Sequence, residues 1–362
     1  MTLSASSLAA MLNAELVDDP VYDGFELQWF DDAEHGTGLL AFLSRRDGRV
    51  VDYYCAPGLR LDREGYHIGG GTGAWVDTEF EVARLRVGPD GVDAEVAFTD
   101  VDGRAVRVRV DDRDGRRRRP AALLAPVSSG ILEPTALMIV WMPRFDLVRA
   151  TGGPIEVGID GRQVLVGRLP GARWHRHVLV KYAAPVLTVD VARQHDGPLA
   201  DLPPATTTRG DDGAGGTGVA TVRAEAVGAA SGTGPAPVAR LAFTPAFPDL
   251  DALPDGARRH GRWEVGVDAA TITGGTWTAH RTGDVVEVGL DVTQRWRPRG
   301  LPLLMRVVTR VVRLFRTWPT TYRWRGTVTL GPAPQLVGGW ERTSMAGMDA
   351  YRQATGSAPA TG

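Results

Sequence analysis

Residues 94–110 of the chain read AEVAFTDVDGRAVRVRV, and this stretch decides the fold class. Val106, Val108 and Val110 alternate with arginines, and such alternation of apolar and polar side chains is typical of a strand with one buried face. The Asp102-Gly103 pair separates this run from the preceding one, and Asp-Gly is a preferred centre of tight hairpin turns. The stretch therefore predicts two antiparallel strands joined by a short turn.

The same pattern continues on both sides of this hairpin. Apolar and polar residues alternate in further runs at 25–30, 154–159 and 285–292. Asp-Gly pairs at 47–48, 90–91 and 160–161 supply turns between such runs. We therefore expect an all-β protein whose first 195 residues form an antiparallel meander. In the second half, the expected strands lie near 238–243, 271–279, 285–292, 321–330 and 335–341.

Length and composition predict two domains. The chain has 362 residues, and segment 196–237 is rich in Gly, Pro, Thr and Asp, which is typical of a flexible linker. We predict two consecutive antiparallel lipocalin-like (calycin) barrels, one at 1–195 and one at 238–345. The linker contains one candidate strand at 219–227, and residues 346–362 form a tail.

The charge balance argues against a nucleic-acid partner. The formal net charge is -2, so no long-range field attracts a polyanion. The densest group of cations, Arg116–Arg119, follows Asp111, Asp112 and Asp114, which offset it. We interpret this group as a charged turn and expect no nucleic acid among the partners.

The sequence shows neither a secretion signal nor a membrane span. The first residues, MTLSASSLAAMLNAEL, lack a positively charged start, and no apolar run approaches the roughly 18 residues of a transmembrane helix. Cys55 is the sole cysteine, so the chain forms no internal disulfide and no thiolate metal cluster. We expect a cytoplasmic protein.

One segment interrupts the β pattern. Residues 302–318 read PLLMRVVTRVVRLFRTW, where Pro302 suits a first helical turn and Pro319 ends the element. The polar residues that share one sector of this helix are Arg306, Thr309, Arg310, Arg313 and Arg316. We predict an amphipathic helix inserted in the second barrel. It either braces one end of the barrel or makes peripheral membrane contact, with arginines at lipid headgroups and apolar side chains in the acyl layer.

Motifs with a fixed chemistry are absent. The chain has no phosphate loop with lysine, no nucleophile elbow, no HExxH and no paired CxxC. His175 and His177 share a strand face with Lys181, but no third metal ligand is visible near them. Lys181, the only lysine, suits a Schiff base if it is buried and an ion pair if it is exposed. We predict no cofactor and no metal.

Tryptophans indicate an apolar ligand. Ten are present, mostly on predicted strands, and large flat rings can either fill a barrel core or line a pocket. The tryptophans that we predict to contact a ligand are Trp29, Trp75, Trp141, Trp277 and Trp324.

A carboxylic acid among aromatic rings is the candidate catalytic group. Asp31 follows Trp29 at a strand end, and Asp52 precedes Tyr54 in the neighbouring hairpin. An acid in such surroundings has a raised pKa and can protonate an alkene, while the rings stabilise the carbocation. The predicted site has Asp31 or Asp52 as the acid, with Trp29, Tyr54 and Trp75 as its aromatic wall. The alternative is that both carboxylates cap turns.

These residues resemble a known group. The segments Trp29-Phe30-Asp31-Asp32, 36–43 and Asp52-Tyr53-Tyr54 are similar to early segments of the carotenoid hydratase (hydroxyneurosporene synthase) and AttH-like proteins, which resemble fungal Diels–Alderases. The resemblance implies two calycin-like domains and chemistry on an isoprenoid or another apolar molecule.

Two function classes follow from the sequence. The first is the binding of an apolar small molecule, such as a lipid, isoprenoid, steroid or polyketide, in a barrel cavity. The second is a cofactor-free hydratase, cyclase or isomerase that acts on such a ligand by acid catalysis. A buried acid with a raised pKa favours the enzyme, whereas a wholly apolar pocket favours the carrier.

Overall fold

The protein is built almost entirely of strands. The computed structural model describes residues 1–47, 50–63, 66, 73–125, 134–149, 153–169, 176–202, 207–209, 218–223, 238–268, 270–297, 301–311, 315 and 318–342. Within these residues the chain forms three sheets and a single α-helix, so the predicted all-β class is confirmed.

The strands of the first half form two sheets. In chain order they are β1 (Leu3–Leu8), β2 (Ala10–Glu15), β3 (Tyr22–Asp32), β4 (Gly36–Arg45), β5 (Val51–Cys55), β6 (Trp75–Asp77), β7 (Val82–Gly88), β8 (Gly91–Thr99), β9 (Ala105–Asp111), β10 (Ala121–Ala125), β11 (Leu137–Arg149), β12 (Ile155–Ile159), β13 (Arg162–Val164), β14 (His177–Ala183) and β15 (Val186–Val191). A ten-stranded sheet has the order β1-β15-β11-β14-β2-β3-β4-β5-β6, with β10 paired to β11. A five-stranded sheet has the order β13-β12-β9-β8-β7.

The second half forms a nine-stranded sheet. Its elements are β16 (His195–Pro198), β17 (Thr207–Arg209), β18 (Gly218–Arg223), β19 (Val238–Thr244), β20 (Arg258–Val267), β21 (Ala270–Thr282), β22 (Val285–Gln294), α1 (Leu303–Val311), β23 (Tyr322–Thr329) and β24 (Gln335–Arg342). Strands β17 to β24 follow one another as an up-and-down antiparallel sheet, and β16 adds to its edge beside β24.

Two expectations about connectivity need correction. The first half is not a single meander, because β1 pairs with β15 and β2 pairs with β14, far along the chain. Residues 196–198 and 207–209, expected as linker, are strands of the nine-stranded sheet, and the described part of the candidate strand at 219–227 lies in β18 (Gly218–Arg223) of the same sheet. Alternation identifies a strand but not its partner, and backbone pairing can order a segment that is poor in apolar side chains.

The ten-stranded sheet buries both of its faces. On one, here called the sandwich face, Leu12 and Leu27 pack with Val96 of the five-stranded sheet. On the other, the shared face, Met11 and Phe42 belong to an apolar cluster that continues into the nine-stranded sheet. This double burial fixes the surroundings of every side chain on β2 to β5.

The helix predicted between Pro302 and Pro319 is present as α1, and its orientation differs from the one expected. Thr309, predicted with the arginines on the polar sector, is buried, and its hydroxyl donates to the Met305 carbonyl at 2.9 Å. Arg313 and Arg316 lie outside the described residues. A hydroxyl that bonds within its own helix is compatible with an apolar contact, which removes the need to face water. In the described residues, no helix has the length and apolar character needed to cross a membrane.

A tryptophan joins the two halves. The Trp340 indole on β24 is buried, and its N–H donates to the carbonyls of Val191 at 2.9 Å and Ala192 at 3.0 Å. Trp141 of β11 meets Trp296 edge to face nearby in the same core, with ring centres 6.3 Å apart. The contact between the two halves, here called the seam, therefore contains both apolar packing (Trp141 with Trp296) and hydrogen bonds (Trp340).

The seam predicts a specific loss of stability. Trp340→Phe removes the indole N–H that donates to the buried carbonyls of Val191 and Ala192. Trp263→Phe is the control: it removes a similar side-chain volume, but the N–H of Trp263 has no acceptor among the described residues. We expect Trp340→Phe to lower the free energy of unfolding by about 1–3 kcal/mol more than Trp263→Phe, as measured by urea unfolding. Equal losses would contradict a role for the hydrogen bonds.

Candidate functional site

Four tryptophans lie in the interior of the nine-stranded sheet. Trp263, Trp277, Trp324 and Trp340 come from β20, β21, β23 and β24, and none is more than 2% exposed. Alternation along each strand directs these rings to the apolar side, together with residues such as Leu290. The sheet therefore presents an aromatic surface toward its core.

Three of these four indoles lack an acceptor in the part of the chain that the structure describes. Within the described residues, the Nε1 atoms of Trp263, Trp277 and Trp324 are buried and have no hydrogen-bond partner, unlike that of Trp340. A buried donor without a partner costs about 1–3 kcal/mol. Three such donors in one sheet are an unusual concentration, because buried polar groups are nearly always paired. The interior thus offers hydrogen bonds to an oxygen atom.

Glycines determine the position of one of these rings. A Cβ at Gly326 or Gly338 would overlap the six-membered part of the Trp324 indole. These glycines lie opposite each other on β23 and β24. Trp324 can therefore lie flat over the two strands, which sets the direction of its N–H.

A small apolar cavity adjoins Trp324. Its volume is about 50 Å³, and the sheet lines it with Trp324, Val288 and Val328. Phe247 and Leu250 close another side; both are half-buried and belong to the loop between β19 and β20. Residues of the first half complete the wall, namely Met1, Thr2, Ala192 and Arg193. The space holds only a few water-sized groups, so a larger ligand requires movement of the loop.

A second candidate site crosses the shared face of the ten-stranded sheet. Strand register places six residues side by side in one row, running from β14 to β6 through Lys181, Asn13, Glu26, Phe42, Tyr53 and Trp75. Glu26 is buried and accepts hydrogen bonds from Gln28 Nε2 at 2.5 Å and Asn13 Nδ2 at 3.1 Å. The row thus holds a carboxyl group between an amide and aromatic rings.

Burial changes the acidity of this carboxyl. Loss of solvation raises the pKa of Glu26 from its ordinary value of 4.5 to about 7, against the opposing effects of the Gln28 and Asn13 hydrogen bonds and the Lys181 charge. A carboxyl with such a pKa can hold or release a proton near neutral pH, as a general acid requires.

Aromatic rings lie beside Glu26. Tyr53 stacks on Trp75 with ring centres 4.3 Å apart, and Tyr66 meets both rings edge to face. The Tyr66 hydroxyl donates to Gln28 Oε1, so Tyr66, Gln28 and Glu26 form a hydrogen-bonded chain. Electron-rich ring faces can stabilise a positive charge that develops near the acid.

The two predicted acids are placed apart and have other partners. Asp52 is buried and accepts from Arg45 Nε at 2.7 Å and from the Ala74 backbone N–H at 3.2 Å. Asp31, at the end of β3, accepts from the Thr37 hydroxyl at 3.0 Å. Asp52 is level with Phe25 across the sheet, six residues from Asp31 along β3, which corresponds to about 20 Å. The two carboxylates therefore belong to different surroundings.

The expected aromatic wall is divided between two faces. Tyr54 is fully buried on the sandwich face against Phe98, with ring centres 4.6 Å apart, and Trp29 packs against the same cluster. Trp75 lies on the shared face with Tyr53. Since neighbouring residues of a strand point to opposite faces, Tyr53 is the ring that accompanies Trp75.

The other predicted ligand contacts lie in the shared core. Trp277 and Trp324 are in the interior of the nine-stranded sheet, whereas Trp141 packs at the seam. Sequence reasoning did not select Glu26 or Trp263. The signal for Glu26 was its place on the same strand face as Gln28 and Phe30, but a polar residue in an alternating strand is normally assigned to the solvent side.

Other predicted groups have structural contacts. Lys181 Nζ lies 3.4 Å from Glu15 Oε1 and is partly exposed, in agreement with an ion pair. His177 Nε2 lies 3.3 Å from Arg149 Nε, and His175 falls outside the described residues. In the part of the chain that the structure describes, no three His, Cys, Asp or Glu side chains cluster as metal ligands.

Comparison with known proteins adds no relative. No protein-family model matches the chain, and no match was found among curated proteins or solved structures.

The buried acid predicts a pH dependence of stability. Between about pH 4.5 and 7, Glu26 keeps a proton in the folded protein that it releases in the unfolded chain. Its contribution to the free energy of unfolding is therefore fully present below this pH window and is lost as pH rises through it. The glutamine side chain of Glu26→Gln is uncharged at every pH. Between pH 5 and 7.5 we therefore expect the unfolding free energy of this variant to fall less than that of the wild type, by on the order of 2 kcal/mol.

The measurement is urea unfolding at both pH values. Burial also raises the pKa of Asp112 to about 7, so the difference between variant and wild type is the relevant quantity. Glu15→Gln is the control, because this residue is exposed and leaves Glu26 in place. An unchanged slope in Glu26→Gln would refute the assignment.

Proposed function

We propose that the protein binds an apolar small molecule that carries an oxygen acceptor, in the interior of the nine-stranded sheet. The observation that supports this most directly is the set of three buried indole N–H groups without an acceptor in the described residues. A ligand carbonyl, carboxylate or hydroxyl oxygen that reaches one of them compensates the cost of burying that donor. The ligand classes that fit are fatty acids, oxygenated isoprenoids, steroids and polyketides.

Entry is through the loop between β19 and β20. Phe247 contacts both Phe243 and Trp277, with ring centres 5.4 and 5.1 Å apart, and is only half-buried. Displacement of Phe247 and Leu250 joins the cavity beside Trp324 to the surroundings of Trp277. The apolar part of the ligand replaces these side chains, and its oxygen meets the indoles.

We further propose that both halves are lipocalin-like barrels in a cytoplasmic protein distantly related to the carotenoid hydratase group. The up-and-down order of β17 to β24 supports this for the second half. The apolar cluster between the ten- and five-stranded sheets supports an equivalent enclosure in the first half.

Indole NMR signals test the binding site. In ¹⁵N-labelled protein each Trp side chain gives one N–H signal, which Trp→Phe variants assign. We expect dodecanoic acid, or an oxygenated molecule extracted from the purified protein, to shift the signals of Trp263, Trp277 or Trp324. Trp324→Phe should weaken binding of the acid about tenfold through loss of one hydrogen bond.

Trp340 provides the matched control. Its N–H already donates to two carbonyls, one of them that of Ala192 at the cavity wall, so its signal should shift less than those of Trp263, Trp277 and Trp324, and Trp340→Phe should retain affinity if the variant is folded. Dodecane, which has no acceptor, should leave all three signals in place. Equal shifts with dodecane, or no shift with any oxygenated compound, would contradict the proposal.

A second candidate function is acid catalysis at Glu26, favoured by its raised pKa beside Tyr53, Tyr66 and Trp75. Glu26 donates its proton to an alkene carbon, water attacks the carbocation, and a proton of that water returns to the carboxylate. The result is a hydration, or an isomerisation when the cation loses a neighbouring proton instead.

Deuterium incorporation tests this chemistry. With farnesol as the alkene in ²H₂O, wild type should yield deuterium bound to carbon, detected by mass spectrometry. Glu26→Gln should abolish the incorporation, and Asp52→Asn, which alters an ion pair on the sandwich face, should retain it if folded. Incorporation by the Glu26→Gln variant at the wild-type rate would eliminate Glu26 as the acid.

A further inference from the structure

Helix α1 exposes an apolar stripe. Leu303, Val307 and Val311 are 70%, 51% and 72% exposed, and their spacing of four residues places them along one side of the helix. On a helix that packs one side against a core, the outward side normally carries charged and polar residues. The stripe is therefore a surface that a partner can cover.

The inward side of the helix fixes this orientation. Met305 is buried in the shared core, Thr309 is buried one turn later, and Leu301 is buried just before the helix begins. Rotation of α1 to hide Leu303 and Val307 would expose these residues instead. The apolar stripe thus faces outward as part of the fold.

Positive charge lies beside the stripe. Arg306 and Arg310 are exposed, and at about 100° per residue they occupy the edge of the face next to Leu303. Among the described residues, neither guanidinium forms an ion pair. From residue 292 to residue 322 the sequence contains seven arginines and no Asp or Glu, although the whole chain has a net charge of -2.

We propose that α1 docks on an anionic lipid bilayer, with Leu303, Val307 and Val311 in the acyl boundary and Arg306 and Arg310 at the headgroup phosphates. A helix with aliphatic residues on one edge and arginines on the other suits the interface plane, where long basic side chains reach the headgroups while their stems lie along apolar surface. This docking does not depend on the ligand site proposed above.

Two other occupants fit less well. A second copy of the chain in a symmetric dimer would bring Arg306 and Arg310 of both chains into one interface, to which residues 303–311 contribute no Asp or Glu that could pair with them. A stable protein interface also needs about 800 Å² from each partner, far more than three aliphatic side chains provide. A bilayer instead supplies many phosphates and an acyl layer for a small apolar stripe.

Vesicle co-sedimentation tests the proposal. We expect the full-length protein to sediment with phosphatidylcholine vesicles that contain phosphatidylglycerol, to bind pure phosphatidylcholine much less, and to be released by added salt. Arg306→Gln together with Arg310→Gln should lower the partition coefficient about 25-fold, since each cation near an anionic surface contributes about fivefold. Val307→Ser together with Val311→Ser should lower it about tenfold.

A matched control separates this surface from general charge effects. Arg258→Gln together with Arg259→Gln removes two exposed arginines from β20 and should leave the partition coefficient unchanged. All variants alter exposed residues, and their folding is checked by thermal unfolding. Wild-type protein that stays in the supernatant, or that binds vesicles equally with and without phosphatidylglycerol, would overturn the proposal. So would a wild type that does not bind vesicles but self-associates or binds DNA, if the α1 variants lose that activity.

Discussion

Burial of both faces of the ten-stranded sheet is the constraint on which the rest of the structure depends. A sheet with one solvent-exposed face can place carboxylates and amides in water, but here the polar side chains that are buried within either face need partners within the protein. On the shared face, Glu26 and Gln28 bond to each other, to Asn13 and to Tyr66. On the sandwich face, Asp52 pairs with Arg45. Loss of solvation raises the pKa of Glu26, whose partners are amides, whereas Asp52 is held in an ion pair by a guanidinium.

The same constraint couples the two halves. The apolar side chains of the shared face need a cover, and their cluster continues through the Trp141–Trp296 contact into the nine-stranded sheet. The Trp340 N–H extends this contact with hydrogen bonds to the carbonyls of Val191 and Ala192. The cavity beside Trp324 has walls from both halves as a result. Any molecule that fills it contacts the seam, so its binding free energy adds to the stability of the joined halves.

The sequence predicts the local features of this fold, but it does not predict features that depend on contacts between residues far apart in the chain. Alternation locates β9 and β22, Asp-Gly pairs locate the turns after β8 and β12, and a change of period locates α1, because each signal lies within a few residues. The pairing of β1 with β15 has no such signal. The face of a strand also follows from alternation, but whether a second layer covers that face does not. This is why Asp31 and Asp52 were selected as acids while Glu26, hidden by tertiary packing, was not.

Helix α1 connects the two sites proposed in the second half. It lies in the connection between β22 and β23, the strands that carry Val288 and Trp324 at the cavity. Met305 on its inner side belongs to the same core as Trp324, while Val307 on its outer side is exposed. The surface proposed to meet lipid and the core that contains the tryptophans are therefore separated by one helix diameter, about 10 Å. With both proposals taken together, docking of α1 brings the aromatic core within one helix diameter of the bilayer, while the ligand still enters at Phe247 and Leu250 in the loop between β19 and β20.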